Sequence, residues 1–290
     1  MRRREFALLM GPSLLVMLGL LVVPLVRTIQ WSFQKVEYGS PGDFIGLSNY
    51  SQALSDPRLG RAVLFTLLLT VIVTATILVL GYLIATGMNG LGKLRPYILG
   101  AMLVAYVLPN IVGAVSFSWL FDQNFGGAVN YVIQALTGQN ILWFTETWPN
   151  RIMVMAHTVW HLLPFSMLMI LAGLQGVPKE LREAAIIDGA SGRKTHFYVI
   201  IPTIRGILGF VCLITIMDVL RTFDNLIPLS PQADAIGNES IMLYVFDTAF
   251  RDGSAQLGLG SAINVLAILL ILVCLFPFIR GLLKEAKAKA

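Results

Sequence analysis

Apolar residues along this chain gather into long uninterrupted runs. Ala7 to Val26, Val63 to Met88, Tyr97 to Phe121, Ile152 to Val177 and Leu257 to Ile279 each pass without one Asp, Glu, Lys or Arg. A helix of about 20 largely apolar residues crosses the hydrocarbon core of a bilayer, so five membrane spans are expected. A sixth, Ile204 to Leu229, is apolar through Met217 and then carries Asp218, Arg221 and Asp224. Charged side chains at membrane depth face a bundle interior or a cavity rather than lipid, which marks this span as the unusual one. Met1 to Arg4 ahead of an apolar run has the outline of a signal peptide. No small-residue cleavage site follows, and Pro24 leads on to Trp31 and Phe33, so an uncleaved first helix is expected.

Composition agrees with the runs. Of 290 residues, 56% are hydrophobic and 13% charged, against about 25% charged in soluble chains, which excludes an ordinary soluble enzyme. The net charge of +5 would suggest nucleic acid for a soluble domain, but its distribution says otherwise. Fourteen of the 21 Lys and Arg fall on one face: Arg2 to Arg4, Lys93 and Arg95, then Lys179 to Arg205, and finally Arg280 to Lys289. Basic residues in short loops mark the cytoplasmic side, so both termini are expected inside, which requires an even number of spans. The fold class is therefore an all-α membrane protein with six transmembrane helices, residues 1–290 forming a single domain, with no nucleic-acid partner. Cys212 and Cys274 sit inside apolar runs without ligand-spaced neighbours and read as packing residues. Outside, Thr28 to Ala62 and Asp122 to Arg151 carry Tyr38-Gly39-Ser40-Pro41-Gly42, Trp143-Phe144 and Trp148-Pro149, which suit short surface helices and turns.

The cytoplasmic stretch 178–191 is organised. Pro178 suits a first helical position, Glu180 and Glu183 favour a helix N-terminus, and Gly189 supplies a stop. Leu181, Ala184, Ala185 and Asp188 recur at helical spacing, a flat face able to enter another protein's groove or to rest on the lipid surface. Glu183-Ala184-Ala185, Asp188-Gly189-Ala190 and Ile201-Pro202 together resemble the EAA loop of permease subunits of bacterial ABC importers, with the spacing of the carbohydrate-uptake branch. The resemblance extends through Gly46-Leu47-Ser48-Asn49-Tyr50, Leu108-Pro109, Trp119 to Asn130, Trp143-Phe144 and Phe223-Asp224-Asn225. One departure stands out: Ser230-Pro231-Gln232-Ala233-Asp234 occupies the place of the family's usual Gly-rich turn. The resemblance implies the type I ABC importer permease fold in the bacterial inner membrane. It implies a coupling role for Glu183, Ala184, Ala185, Asp188 and Gly189. The implied partners are a second permease subunit, a paralogue of this one, two ATP-binding-cassette subunits that hold ATP and Mg, and an extracytoplasmic sugar-binding protein.

Candidate chemistry is sparse. Gly90-Leu91-Gly92-Lys93 and Gly192-Arg193-Lys194-Thr195 do not satisfy the phosphate-loop pattern, so this chain is expected to be no enzyme and to hold no cofactor. His157 and His161 are spaced for two metal ligands but lack an acidic third, and a polar lining is the better reading. The fourth span adds Thr158, Phe165 and Ser166, with Pro164 expected to break its backbone ladder. By resemblance to maltose-type permeases, substrate contacts fall on Thr158, His161, Leu162, Phe165, Thr215, Asp218, Val219 and Thr222. Asp218 and Arg221, at i and i+3, could alternatively pair and only hold the helices together. An ion-coupled secondary transporter would place ion-binding acids in both halves, and the first half has none in its spans.

Overall fold

A computed structural model describes residues 3–37, 42–251, 253 and 255–289, with side chains of 3–8, 279 and 282–290 excluded. Arg2, Tyr38 to Pro41, Ser254 and Ala290 lie outside the described residues. In chain order the elements are α1 (Arg3–Ser32), β1 (Gln34–Lys35), β2 (Asp43–Phe44), α2 (Ser48–Ser55), α3 (Pro57–Met88), α4 (Arg95–Val107), α5 (Asn110–Phe121), α6 (Ala128–Thr137), α7 (Thr147–Gln175) and α8 (Lys179–Ile187). They continue with α9 (Gly192–Thr195), a π-helical turn at His196–Ile200, α10 (Ile201–Thr203), α11 (Arg205–Leu220), α12 (Leu226–Leu229), α13 (Ala233–Ile236), α14 (Ile241–Phe246) and α15 (Leu257–Lys289). Among the described residues, four helices are long and apolar enough to span a membrane, within α1, α3, α7 and α15. Two bent pairs, Gly92–Val107 with Asn110–Phe121 and Gly192–Thr203 with Arg205–Leu220, raise the total to six if each pair is one span.

Contacts divide the chain into two compact units, residues 1–60 with 241–272 and residues 61–240 with 273–290. In the first unit, the strands pair antiparallel with Gln34 opposite Phe44. The Gly46-to-Tyr50 motif explains itself there. Gly46 takes a positive φ of +59° to turn the chain, as only glycine does without strain. Asn49 Nδ2 then donates to the carbonyls of Ser32 (3.0 Å), left open at the end of α1, and of Gln34 (2.9 Å) in β1. Tyr50 meets the Ser32 hydroxyl at 2.7 Å and packs its ring on Phe33. Nearby, the buried Tyr244 donates its hydroxyl to Asp56 at 2.7 Å, with the Arg58 guanidinium over its ring.

The second unit has its core where α7 meets α3 and the residues around α10: Ala85, Met88, Met167, Ile170, Leu171, Leu174 and Ile204 are all buried. Small residues permit the approach. A Cβ at Gly81 would lie 3.2 Å from Ile170, and one at Gly173 would lie 2.7 Å from Ile207. A satisfied polar network caps the start of α7. Asn150 donates to the carbonyls of Trp143 and Leu229, Asn238 donates to Asn150 and to the Thr147 carbonyl, and Arg151 donates to Asn238. The Ser230-to-Asp234 segment makes its own turn, with Ala233 N bonded to the Ser230 carbonyl.

Three details of the expected spans are corrected. The run Tyr97 to Phe121 is not one helix: it turns through 100° at Leu108-Pro109. Pro109 has no N–H and drives Leu108 to an extended ψ of 136°. The charged span ends at Leu220 rather than Leu229, because Arg221 to Asp224 leave the helix. Conversely α7 continues through Pro164, its other hydrogen bonds and its packing outweighing the one bond lost. Cys212 and Cys274 are free and half-buried.

Candidate functional site

The two breaks in the charged and the bent span meet. Beside them, in the second unit, a cavity of about 480 Å³ is lined by Tyr106 and Asn110 at the first break, Thr158, His161 and Leu162 of α7, and Asp218, Arg221, Thr222, Asp224 and Asn225 at the second. Irregular backbone at membrane depth is tolerated only where protein buries it or a wet cavity receives it, and both conditions hold here. Asn110, first residue of α5, donates its amide to Asp224 at 2.7 Å, so one break pins the other and satisfies a carboxylate that would be costly alone.

His161 is oriented by the proline at the first break. In an unbroken helix the Ala105 carbonyl would accept from residue 109, but Pro109 has nothing to donate. The His161 Nδ1 lies 2.9 Å from that carbonyl. A carbonyl only accepts, so Nδ1 carries the proton, and in the neutral ring Nε2 is left as an acceptor. Tyr106 packs flat on Phe165, with ring centroids 5.4 Å apart and planes at 15°. From the lining, Asn225 Nδ2 reaches back to His157 Nδ1 and across to Thr158 Oγ1 at 3.4 Å each. His157 is fully buried between Phe117 and Trp160, and its Nε2 has no hydrogen-bond partner among the described residues.

Of the eight residues expected at the substrate, Thr158, His161, Leu162, Asp218 and Thr222 line this cavity. Phe165 stands behind Tyr106 and does not. Thr215 and Val219 are buried at 2% and 0% exposure. Along α11 they share the stripe of Val211, four residues apart, which faces the core, whereas Asp218 and Thr222 share the neighbouring stripe that faces the cavity. Asp218 and Arg221 both line the cavity, and among the described residues no ion pair within 4.0 Å joins them. Sequence reasoning missed Tyr106 and Asn110. The available signal was Pro109, whose helix break must turn its neighbours toward something polar.

The second expected cluster lies on and just after α8. Asp188 closes the helix, Gly189 takes φ +77°, and Ala190 N and Gly189 N donate to the carbonyls of Ala185 and Ile186 at 2.9 and 3.0 Å. This double bond pattern around a left-handed glycine is the Schellman stop. Ala185 is buried while Glu183, Ala184, Asp188 and Gly189 are exposed, so the expected flat face is split: Ala185 seats the helix and Leu181, Ala184 and Asp188 look outward. Gly90 to Lys93 leads into a 3-10 turn and Gly192 to Thr195 forms the short α9, each following a helix rather than a strand among the described residues. No group of three metal-ligating side chains exists among the described residues.

Apolar spans, two of them broken, whose broken ends build one polar cavity, define a membrane transport protein. The chain belongs to the family of binding-protein-dependent transport system inner membrane components, which its residues 77–286 match. It is 32% identical over 284 residues to the trehalose transport system permease protein SugA of Mycobacterium tuberculosis, covering 96% of this chain and 88% of that one. It is 30% identical over 269 residues to the inner membrane ABC transporter permease protein YcjO of Escherichia coli, covering 91% and 89%. In fold it is similar to a chain of a bacterial alginate ABC transporter solved with an alginate pentasaccharide-bound periplasmic protein, at TM-score 0.80 and 17% identity over 94% of this chain and 91% of that chain. This chain is thus a multi-pass inner-membrane permease component of an ABC importer, and ATP hydrolysis is the task of a separate component.

Proposed function

We propose that the cargo is a saccharide or polyol, carried through the cavity between α4, α5, α7 and α11 by alternating access. The observation that carries this reading is the lining itself. A fixed imidazole, carboxylates, a guanidinium, two carboxamides, hydroxyls and the Tyr106 ring stand around a space of about 480 Å³, within the roughly 300–1,000 Å³ of small-molecule sites. Sugars are held by such hydrogen-bonding groups together with an aromatic face on the C–H side of the ring. Relatives named for trehalose, alpha-glucoside and arabinooligosaccharide transport support the same class. Thr158, His161, Asp218 and Thr222 are the proposed polar contacts, with Leu162 an apolar one. Phe165 acts through Tyr106, and Thr215 and Val219 hold α11 in place behind them.

The remaining assignments complete the machine. The chain acts as one permease domain of six spans, each bent pair counting as one, with both termini cytoplasmic. Its partners are a second permease chain, a paralogue, two ATP-binding-cassette subunits and an extracytoplasmic binding protein. Glu183, Ala184, Ala185, Asp188 and Gly189 form the coupling element: the ATPase dimer moves α8, and the spans rock between inward-open and outward-open states. ATP and Mg are bound by the ATPase. The test is stimulation of ATP hydrolysis in the reconstituted importer by binding protein loaded with trehalose, maltose, an arabinooligosaccharide or sorbitol. Stimulation by at least one is expected; stimulation by amino acids or inorganic anions alone would overturn the cargo class.

A further inference from the structure

A second polar cleft lies at the other end of α5. After Phe121 the chain turns sharply: Asp122 Oδ1 accepts from Asn124 N at 2.8 Å, and Gly127 N returns to the Asp122 carbonyl at 2.8 Å. Gly126 takes φ +66°, and a Cβ on Gly127 would lie 2.7 Å from the Leu120 carbonyl oxygen and 2.8 Å from Asp122 backbone atoms, so both glycines are required for the turn. It sets α6 beside the end of α5 and encloses about 290 Å³, lined by Gln123, Asn124, Asn130, Tyr131, Gln134 and Asn140 with the two glycines.

The lining is all carboxamide apart from one phenol. Asn130 is buried and spends its oxygen on Ile141 N at 3.2 Å, which fixes the floor. The side chains of Gln123, Asn124, Gln134 and Asn140 are exposed and make no hydrogen bond within the chain among the described residues. Each therefore presents a free acceptor beside a free two-hydrogen donor. The Asp122 carboxylate, next in sequence to Gln123, accepts the turn's Asn124 N–H, and no charged side chain lines the cleft. Charged ligands find no counter-charge here. Adjacent hydroxyls on a ring, one donating and one accepting, match the paired oxygen and nitrogen of a carboxamide, and the Tyr131 ring, 70% exposed, offers a face for C–H stacking.

We propose that this cleft is a second saccharide subsite, taking a neutral glycosyl ring before it reaches the central cavity. The proposal rests on the saccharide reading above. Asn110 and Phe121 bound α5, so at about 1.5 Å per residue the two cavities stand some 16 Å apart along one helix, a spacing suited to capture followed by transfer.

Saturation-transfer NMR on the assembled transporter containing the full chain, with trehalose and maltose as probes, tests it. Two saturable components are expected. Asp218→Asn should weaken one, and Tyr131→Ala with Gln134→Ala should weaken the other by about fivefold, the scale of a lost stacking face and hydrogen bond. Both Tyr131 and Gln134 are exposed, and retention of the complex on size exclusion checks assembly. A single component abolished by Asp218→Asn and untouched by the α6 variants overturns the subsite while leaving the central site standing. No signal from either sugar with the wild type, and none with the Asp218→Asn variant, removes the saccharide reading and the subsite together.

Discussion

His161 owes its orientation to a residue 52 positions earlier in sequence, Pro109, because the missing N–H there frees the Ala105 carbonyl that His161 satisfies. Removing the imidazole strands that carbonyl away from water, at a cost of about 1–3 kcal/mol. His161→Phe is therefore expected to lower the yield of assembled transporter, and adding Pro109→Ala, which restores a backbone donor, should recover part of it. Purification yield across the four members of the cycle measures the coupling; strictly additive losses would show that the two residues are unconnected. Asp218 belongs to the same scale. Since no ion pair ties it to Arg221 among the described residues, Asp218→Asn should leave assembly intact and raise the half-saturation concentration for uptake severalfold. A fall in complex yield with unchanged uptake kinetics, reversed by Arg221→Gln, would return the pair to a structural role.

At the scale of elements, two glycine-dependent joints differ in what surrounds them. At Gly173 an added Cβ meets Ile207 Cδ1, the tip of a flexible side chain, whereas at Gly127 it meets backbone oxygens and nitrogen. Gly127→Ala should thus lower the unfolding temperature of the detergent-solubilised protein far more than Gly173→Ala, as followed by fluorescence-detected size exclusion. The stop of α8 gives a related expectation. A non-glycine residue in the left-handed region costs about 1–2 kcal/mol, so Gly189→Val should detach ATP hydrolysis from uptake, and Gly189→Asn should do so less. Measuring uptake per ATP hydrolysed decides it; an unchanged ratio in both variants would remove this turn from coupling. Spans and the α8 helix were legible in sequence because run length and cap residues are local signals. The breaks were less so: Pro109 and Pro164 look alike in sequence, yet only Pro109 ends a helix, since Pro164 lies in α7, buried among neighbours that hold the ladder on either side. Likewise the spacing of Thr215, Asp218, Val219 and Thr222 predicts two adjoining faces, but which one is wet depends on partners far away in the chain.

For the whole molecule, the distribution of Lys and Arg predicts sidedness. A cysteine at Ser191 should be protected from an impermeant thiol reagent added to intact cells, and one at Ser51 should be labelled; the reverse pattern would invert the topology. The cavity residues also bear on biogenesis. Asp218, Arg221 and Asp224 cluster where α11 ends, and charges there raise the cost of leaving the translocon, by less than the roughly 2.5–3.5 kcal/mol each would cost at the centre of a span. Asn110, which engages Asp224 at 2.7 Å, is synthesised 114 residues earlier. The charged span is then released into lipid only after its partner already waits there, so chain order itself acts as the insertion chaperone for the helix that ends in charge.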